Sequence, residues 1–409
     1  MKREIWIDWL RIFACFGIML THSCEPFYLG GEGSLIMTKA DAFWVGILNV
    51  LPRACVALFI VASSYLQFPL HYSTGEFFRR RAVRILIPFA VWSVIYALVW
   101  GQPVQNFKDL LLNFNYTAGH MWFVYMLIGV YLIMPLLSPW AERVGKRELQ
   151  VYIGLWLLST VVPLIRLVVG GAGTVIYGPS GIPNIAAYPL WGEASWNAYG
   201  LFYYLSGFVG YMLLGLYFRK FVGELSWKRT VAIGLPVSLA GIAICSGGFL
   251  SQVWASCNGV FPAAGSLDIA VLWERPWMND TLGVALMTIG WILLFRKIAH
   301  GRSVDLSDKV AGSVVNPAGV SASVSAFYRR VALPVSEAGY GMYLSHLLVL
   351  GAISGRVRSW LGLGLDGALG PVWTTPVEIF LTAISSFVVV ALLCVLIRRI
   401  PRVGKWIMG

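Results

Sequence analysis

The stretch IDWLRIFACFGIMLTHSCEP, residues 7–26, is apolar enough to enter a membrane, yet it carries Arg11 and His22 inside the apolar run. Ionisable groups at the centre of a membrane helix cost about 2.5 to 3.5 kcal/mol each on insertion scales. A span that keeps two of them has a use for them. Arg11 and His22 stand close to three helical turns apart, so both side chains project from one face, separated by roughly 16 Å along the axis. Asp8 lies one turn before Arg11 and Glu25 one turn after His22, a spacing at which side chains share a helix face. Pro26 ends the run. The helix therefore presents a polar stripe of Asp8, Arg11, His22 and Glu25. Asp8 is expected to pair with Arg11, and Glu25 to reach the His22 ring. An imidazole is the side chain suited to proton transfer near neutral pH.

The rest of the chain has the same character. Of its 409 residues, 58% are hydrophobic and only 12% are charged, about half the charge of a soluble domain. The mean hydropathy is +0.73. Long apolar runs alternate with short polar or Gly-Pro stretches, which predicts an all-α, polytopic membrane protein forming a single domain over 1–409. Ten spans are expected: 5–24, 42–66, 82–101, 119–138, 149–169, 199–218, 230–248, 281–299, 335–354 and 375–397. The net charge of +12 does not point to nucleic acid, because the basic residues are placed asymmetrically. With the N-terminus inside, the inner segments hold 23 of the 31 Lys and Arg residues and the outer segments hold five. That is the positive-inside pattern, with both termini cytoplasmic. The first run lacks a small-residue cleavage site and reads as a retained helix. Six cysteines are scattered without CxxC or Cys/His metal spacing, so no metal is expected. Cys245 and Cys257 could pair on the outer side, although buried thiols are the simpler reading.

Two basic-aromatic segments add chemistry. FFRRRAVRILIPF (77–89) opens the third span with Arg81 and Arg84 one turn apart. Their guanidinium forks suit phosphate oxygens, whereas Arg79 and Arg80 read as membrane anchors. GHMWFVYMLIGVYLIMPLL (119–137) places His120, Trp122 and Tyr125 at the outer end of the fourth span. The outer connections 170–198 and 249–280 carry aromatic residues, Trp191 and Trp196 among them, that read first as an interfacial belt and alternatively as the wall of an outer ligand site. Asn184, Glu193, Asn197, Asn258, Asn279 and Asp280 would orient that ligand.

In order along the chain, these motifs resemble those of the membrane-bound acyltransferase 3 family, whose members modify bacterial surface and periplasmic glycans. The family's Arg or Lys, ten residues, then His is matched by Arg11 and His22. Its Arg-x-x-Arg is matched by Arg81 and Arg84. HMWFVY (120–125) is similar to its His-Leu-Trp-Phe-x-Tyr, with Met121 in place of Leu. GYGMYLSHLLVL (339–350) resembles its late Tyr-Leu-x-His segment, with His346. VALFIVASSYLQ (56–67) is similar to its Phe-Phe-x-x-Ser-Gly-Tyr element, with Ser64 where Gly is usual. The resemblance runs from residue 5 to about 398 and is to the stand-alone form, without a fused esterase-like domain.

It implies a multi-pass enzyme of the bacterial inner membrane. Such an enzyme takes an acyl group, acetyl first among the options, from cytoplasmic acyl-CoA and passes it to a glycan or lipid-linked saccharide hydroxyl. Arg81, Arg84 and Arg11 would hold the donor. His22 would be the base, with Glu25 fixing its tautomer and Asp8 orienting Arg11. His120, Trp122, Tyr125, His346, Trp191 and Trp196 would face the acceptor. The alternative is a proton-coupled transporter, since such carriers also keep His, Arg and Glu in their spans. No paired inverted halves are visible to support it.

Overall fold

The computed structural model describes residues 3–29, 36–100, 116–169, 191–192, 197, 199–263, 267–299, 303–304, 326–401 and 403–409. These are almost wholly helical. In chain order the helices are α1 (Ile5–Cys24), α2 (Lys39–Val50), α3 (Cys55–Gln67), α4 (Thr74–Arg81), α5 (Ile87–Val99), α6 (Trp122–Arg143), α7 (Lys146–Ser159), α8 (Val162–Val169) and α9 (Val209–Phe221). They continue with α10 (Trp227–Cys257), α11 (Leu267–Glu274), α12 (Leu282–Ala299), α13 (Leu333–Trp360), α14 (Asp366–Arg398) and α15 (Gly404–Met408). One short antiparallel ladder pairs Arg3–Glu4 with Ser303–Val304.

Among the described residues, eight stretches are long and apolar enough to cross a membrane: Ile5–Phe27, Lys39–Gln67, Thr74–Val99, Ala118–Arg143, Lys146–Leu167, Trp227–Cys257, Leu272–Ile298 and Gly367–Arg398. Eight of the ten expected spans thus meet that test. The other two differ for separate reasons. In the 199–218 region a short 3-10 turn, Gly200–Phe202, precedes α9, which has 13 residues and is about 20 Å long. The 335–354 region lies in α13, which is long enough at 28 residues. Ser336, Glu337, Ser345 and His346 dilute its apolar character.

Helix α1 is central. It packs on α3, α12, α13 and α14, and this is why its stripe is buried among protein rather than lipid. Two helices of the second span meet at a break around Pro52. In the third span a wide π turn, Ala82–Leu86, joins α4 to α5 and carries Arg84; such turns re-aim side chains and recur at functional sites. Ser64, the departure from the family pattern, is absorbed by packing: its hydroxyl donates to the Met212 carbonyl of α9 at 2.6 Å.

Helices α10 and α12 pack extensively on each other along a seam of small residues. Small side chains let membrane helices approach where no hydrophobic effect drives them together. At Gly241 an added Cβ would lie 2.4 Å from the Gly283 carbonyl oxygen. Gly241→Leu is therefore expected to destabilise the bundle by about 1–3 kcal/mol or more. Thermal melting of the detergent-solubilised protein checks this, and an unchanged midpoint would contradict the seam.

Candidate active site

The structure places a basic cavity at one end of the bundle. It has a volume of about 680 Å³, and its walls include Arg3, Arg11, Arg81, Arg84, Arg398 and Lys405. Glu337 is the one acidic side chain on its wall, and it is committed to Arg3 at 3.0 Å and to Arg398 at 3.7 Å. Arg81 lies over the rings of Phe77 and Tyr131. Its buried Nε has no partner among the described residues. Arg79 and Arg80 behave as anchors: both are exposed and both bind Glu76 one turn away.

Arg11 is on the cavity wall, but its expected pairing with Asp8 is not made. Asp8 is 2% exposed and all of its capacity is taken elsewhere. It accepts from Arg3 Nε and Nη2 at 2.8 and 2.9 Å. It also accepts from the Tyr328 hydroxyl at 2.5 Å and the Ser336 hydroxyl at 2.6 Å. The bidentate fork of Arg3 out-competes Arg11, since a fork matches both carboxylate oxygens at once. Arg11 is left without an ion pair among the described residues, with its charge available to an anion.

About three turns further along α1, His22 sits with its Nδ1 2.7 Å from Glu25 Oε2. A carboxylate only accepts, so Nδ1 carries the proton and Nε2 is the bare nitrogen. The expected role of Glu25 in fixing this tautomer therefore has its geometry. Two further imidazoles close in around it. The His22 and His346 rings lie 5.0 Å apart, and those of His120 and His346 lie 5.1 Å apart. His346, 0% exposed, has Nδ1 2.6 Å from the Tyr343 carbonyl, so its Nε2 is bare. His120 is buried and points Nε2 at the Leu344 carbonyl at 3.4 Å, leaving Nδ1 bare. Neither bare nitrogen finds a partner among the described residues. Three helices thus bring three imidazoles together, each oriented by a neighbour through one nitrogen. Among the described residues, no group of three or more His, Cys, Asp or Glu side chains is placed to hold a metal ion.

Phe123 and Tyr343 stand between the two regions. Both line the basic cavity, and their rings meet edge to face at 5.2 Å. Tyr343 then contacts the rings of His120 and His346 at 5.9 and 6.0 Å. His22 is not on the cavity wall. The two polar ends of α1 therefore share one line through the bundle, with an aromatic pair interposed.

The other expected acceptor residues are placed differently. Phe123, Leu127 and Tyr131 form the inward stripe of α6, with His120 in the 3-10 turn Tyr116–Met121 just before it, so Trp122 and Tyr125, at other angles on the helix, look away. Trp122 packs near Phe208, and Tyr125 lies against Phe89. Trp191 is 51% exposed and rests on Phe202. Trp196, Asn184 and Glu193 lie outside the described residues. Asn197 is spent on its own turn, bonding Gly200 and Tyr199. Asn258 ends α10 with a left-handed backbone, the Asn279 carbonyl accepts from Tyr211, and Asp280 accepts from Tyr199. Cys245 and Cys257 are both free; three turns of the same helix separate them, so they cannot pair. Sequence reasoning missed Tyr340, Tyr343, Ser336 and Tyr328, although the first three share one α13 segment with His346. It also missed Lys405 and Trp406 as cavity residues, having read the basic residues near the C-terminus only as positive-inside charge.

The fold and site define a polytopic membrane protein with an oriented imidazole at one end and a cationic cavity at the other. Residues 4–395 match the acyltransferase 3 family model, described as an acyltransferase domain, and the chain belongs to that family. No curated protein and no solved structure matches it. It is a multi-pass membrane enzyme that transfers an acyl group to a hydroxyl acceptor.

The Asp8 cluster gives the first test of the site's architecture. Asp8→Asn keeps the shape but removes the charge that Arg3, Tyr328 and Ser336 converge on. Stability is expected to fall by roughly 1–3 kcal/mol, read as a lower melting midpoint, with Ser336→Ala giving a smaller drop.

Proposed function

We propose that the enzyme takes its acyl group, acetyl in the simplest case, from cytoplasmic acyl-CoA. It transfers that group to a hydroxyl of a cell-surface or periplasmic glycan, or of a lipid-linked saccharide, from the bacterial inner membrane. The observation that carries this reading is the pairing of a cationic cavity with an oriented imidazole along one helix. A CoA thioester is a polyanion with a long neutral arm, and Arg11, Arg81, Arg84 and Lys405, which line the cavity without an ion pair among the described residues, suit its phosphates. The positive-inside charge pattern supports a cytoplasmic cavity with His22 towards the outer side.

In this mechanism Arg81 and Arg84 hold phosphate at the cavity mouth. Arg11, freed from Asp8, draws the donor inwards. The arm passes Phe123 and Tyr343 and brings the thioester carbonyl to His22. The acceptor O–H gives its proton to His22 Nε2 while the oxygen attacks the carbonyl. The tetrahedral adduct collapses, the C–S bond breaks, and the departing sulfur takes the proton back from His22. Glu25 holds the ring and stabilises the imidazolium between these events. The bare nitrogens of His120 and His346 accept hydrogen bonds from acceptor hydroxyls beside the reacting one. In the covalent variant, His22 Nε2 attacks the thioester itself, the C–S bond breaks and coenzyme A leaves as the thiolate; the acceptor oxygen then displaces the ring from the acyl carbon, and its proton passes to the thiolate.

His22→Ala is expected to abolish transfer, by about 10²-fold or more, in a protein that still folds. Consumption of acetyl-CoA by the purified enzyme with added saccharide reads this out, and full activity in the variant would overturn the site. Labelled donor separates the two mechanisms: a covalent label that disappears in His22→Ala selects the acyl-histidine route. Arg84→Ala is expected to raise KM for the donor about tenfold and to flatten its salt dependence, with a smaller effect on kcat. Mass spectra of envelope glycans from cells with and without the gene give the acyl increment.

A further inference from the structure

Helix α15 puts Lys405 and Trp406 on the wall of the basic cavity, beside Arg84 and Arg398. Trp406 is 48% exposed, yet the element that carries it is held firmly. Trp92 Nε1 donates to the Ile407 carbonyl at 2.9 Å. Met408 is 0% exposed and seats against Gly341 of α13. Gly404 N–H bonds the Ile400 carbonyl at 3.0 Å, fixing the segment to the end of α14. A fixed indole that leaves half of its surface open, in a cavity walled by cations, offers a flat π face where an anion is already drawn. Purines stack on such faces, and the neighbouring ammonium neutralises the phosphate that accompanies them.

We propose that Trp406 stacks on the adenine ring of the donor and that Lys405 binds the adjacent ribose phosphate, so that α15 forms the subsite for the adenosine end. This rests on the acyl-CoA reading above. A tryptophan serving only as a membrane-interface anchor would not distinguish one donor fragment from another. A stacking platform reads the base and ignores the pantetheine arm.

The test uses the full-length protein in lipid nanodiscs and two calorimetric probes, coenzyme A and 4′-phosphopantetheine, which lacks the adenosine. Wild type is expected to bind coenzyme A the more tightly, by about tenfold or more. Trp406→Ala is expected to lose most of that preference, weakening coenzyme A about tenfold while leaving 4′-phosphopantetheine unchanged; Trp406→Phe keeps most of it. Lys405 is exposed and away from the packed face of α15, so Lys405→Gln gives the same contrast even if Trp406→Ala does not fold. Equal losses for both probes, or no loss for either, would overturn the subsite and leave the donor reading standing. Failure of wild type to bind either probe would overturn both.

Discussion

The site depends on how one buried carboxylate is spent. Asp8 accepts four hydrogen bonds, two from the Arg3 fork and one each from Tyr328 and Ser336. A buried charge is tolerable only when it is paired and its lone pairs are filled. Filling them here ties the N-terminal strand, the π turn at Tyr328–Ala332 and the start of α13 to α1. It also leaves Arg11 unneutralised at the inner end of the same helix. Both arginines line the cavity, so the choice decides which of its cations is neutralised: Arg3 is paired and Arg11 is left open.

The second organising feature is the division of labour along α1. Cationic side chains are concentrated at one end, and three imidazoles are gathered at the other. Helix α13 serves both ends: Ser336 and Tyr340 belong to the cavity side, and His346 belongs to the imidazole cluster. Helix α6 and the 3-10 turn that precedes it do the same through Leu127 and His120. Three helices thus hold both regions in fixed relation, and packing of rigid elements positions such groups more closely than loops would.

Much of this was legible in the sequence. The spacing of Arg11, His22 and Glu25 was readable because the helical repeat converts sequence distance into face and depth. The Glu25–His22 contact followed from that rule directly. The Asp8–Arg11 pair followed from the same rule and is not made. Local spacing says which partners can meet, whereas Arg3, Tyr328 and Ser336 arrive from other parts of the fold. The three-imidazole cluster was legible only as separate histidines in separate motifs; their meeting is tertiary. Trp122 and Tyr125 show the opposite limit. They belong to a motif with His120, but angle around the helix, and not proximity in the chain, decides what they touch.

The aromatic pair between the two ends has a consequence for the bilayer. An enzyme that works across a membrane while keeping a water-filled bore from one face to the other would short-circuit the ion gradients that the membrane maintains, each charge carried downhill dissipating about 2.3 kcal/mol per 100 mV. Phe123 and Tyr343 lie between the cationic cavity and the imidazoles. Packed edge to face at 5.2 Å, the two rings keep the cationic cavity and the imidazoles from joining in one open bore.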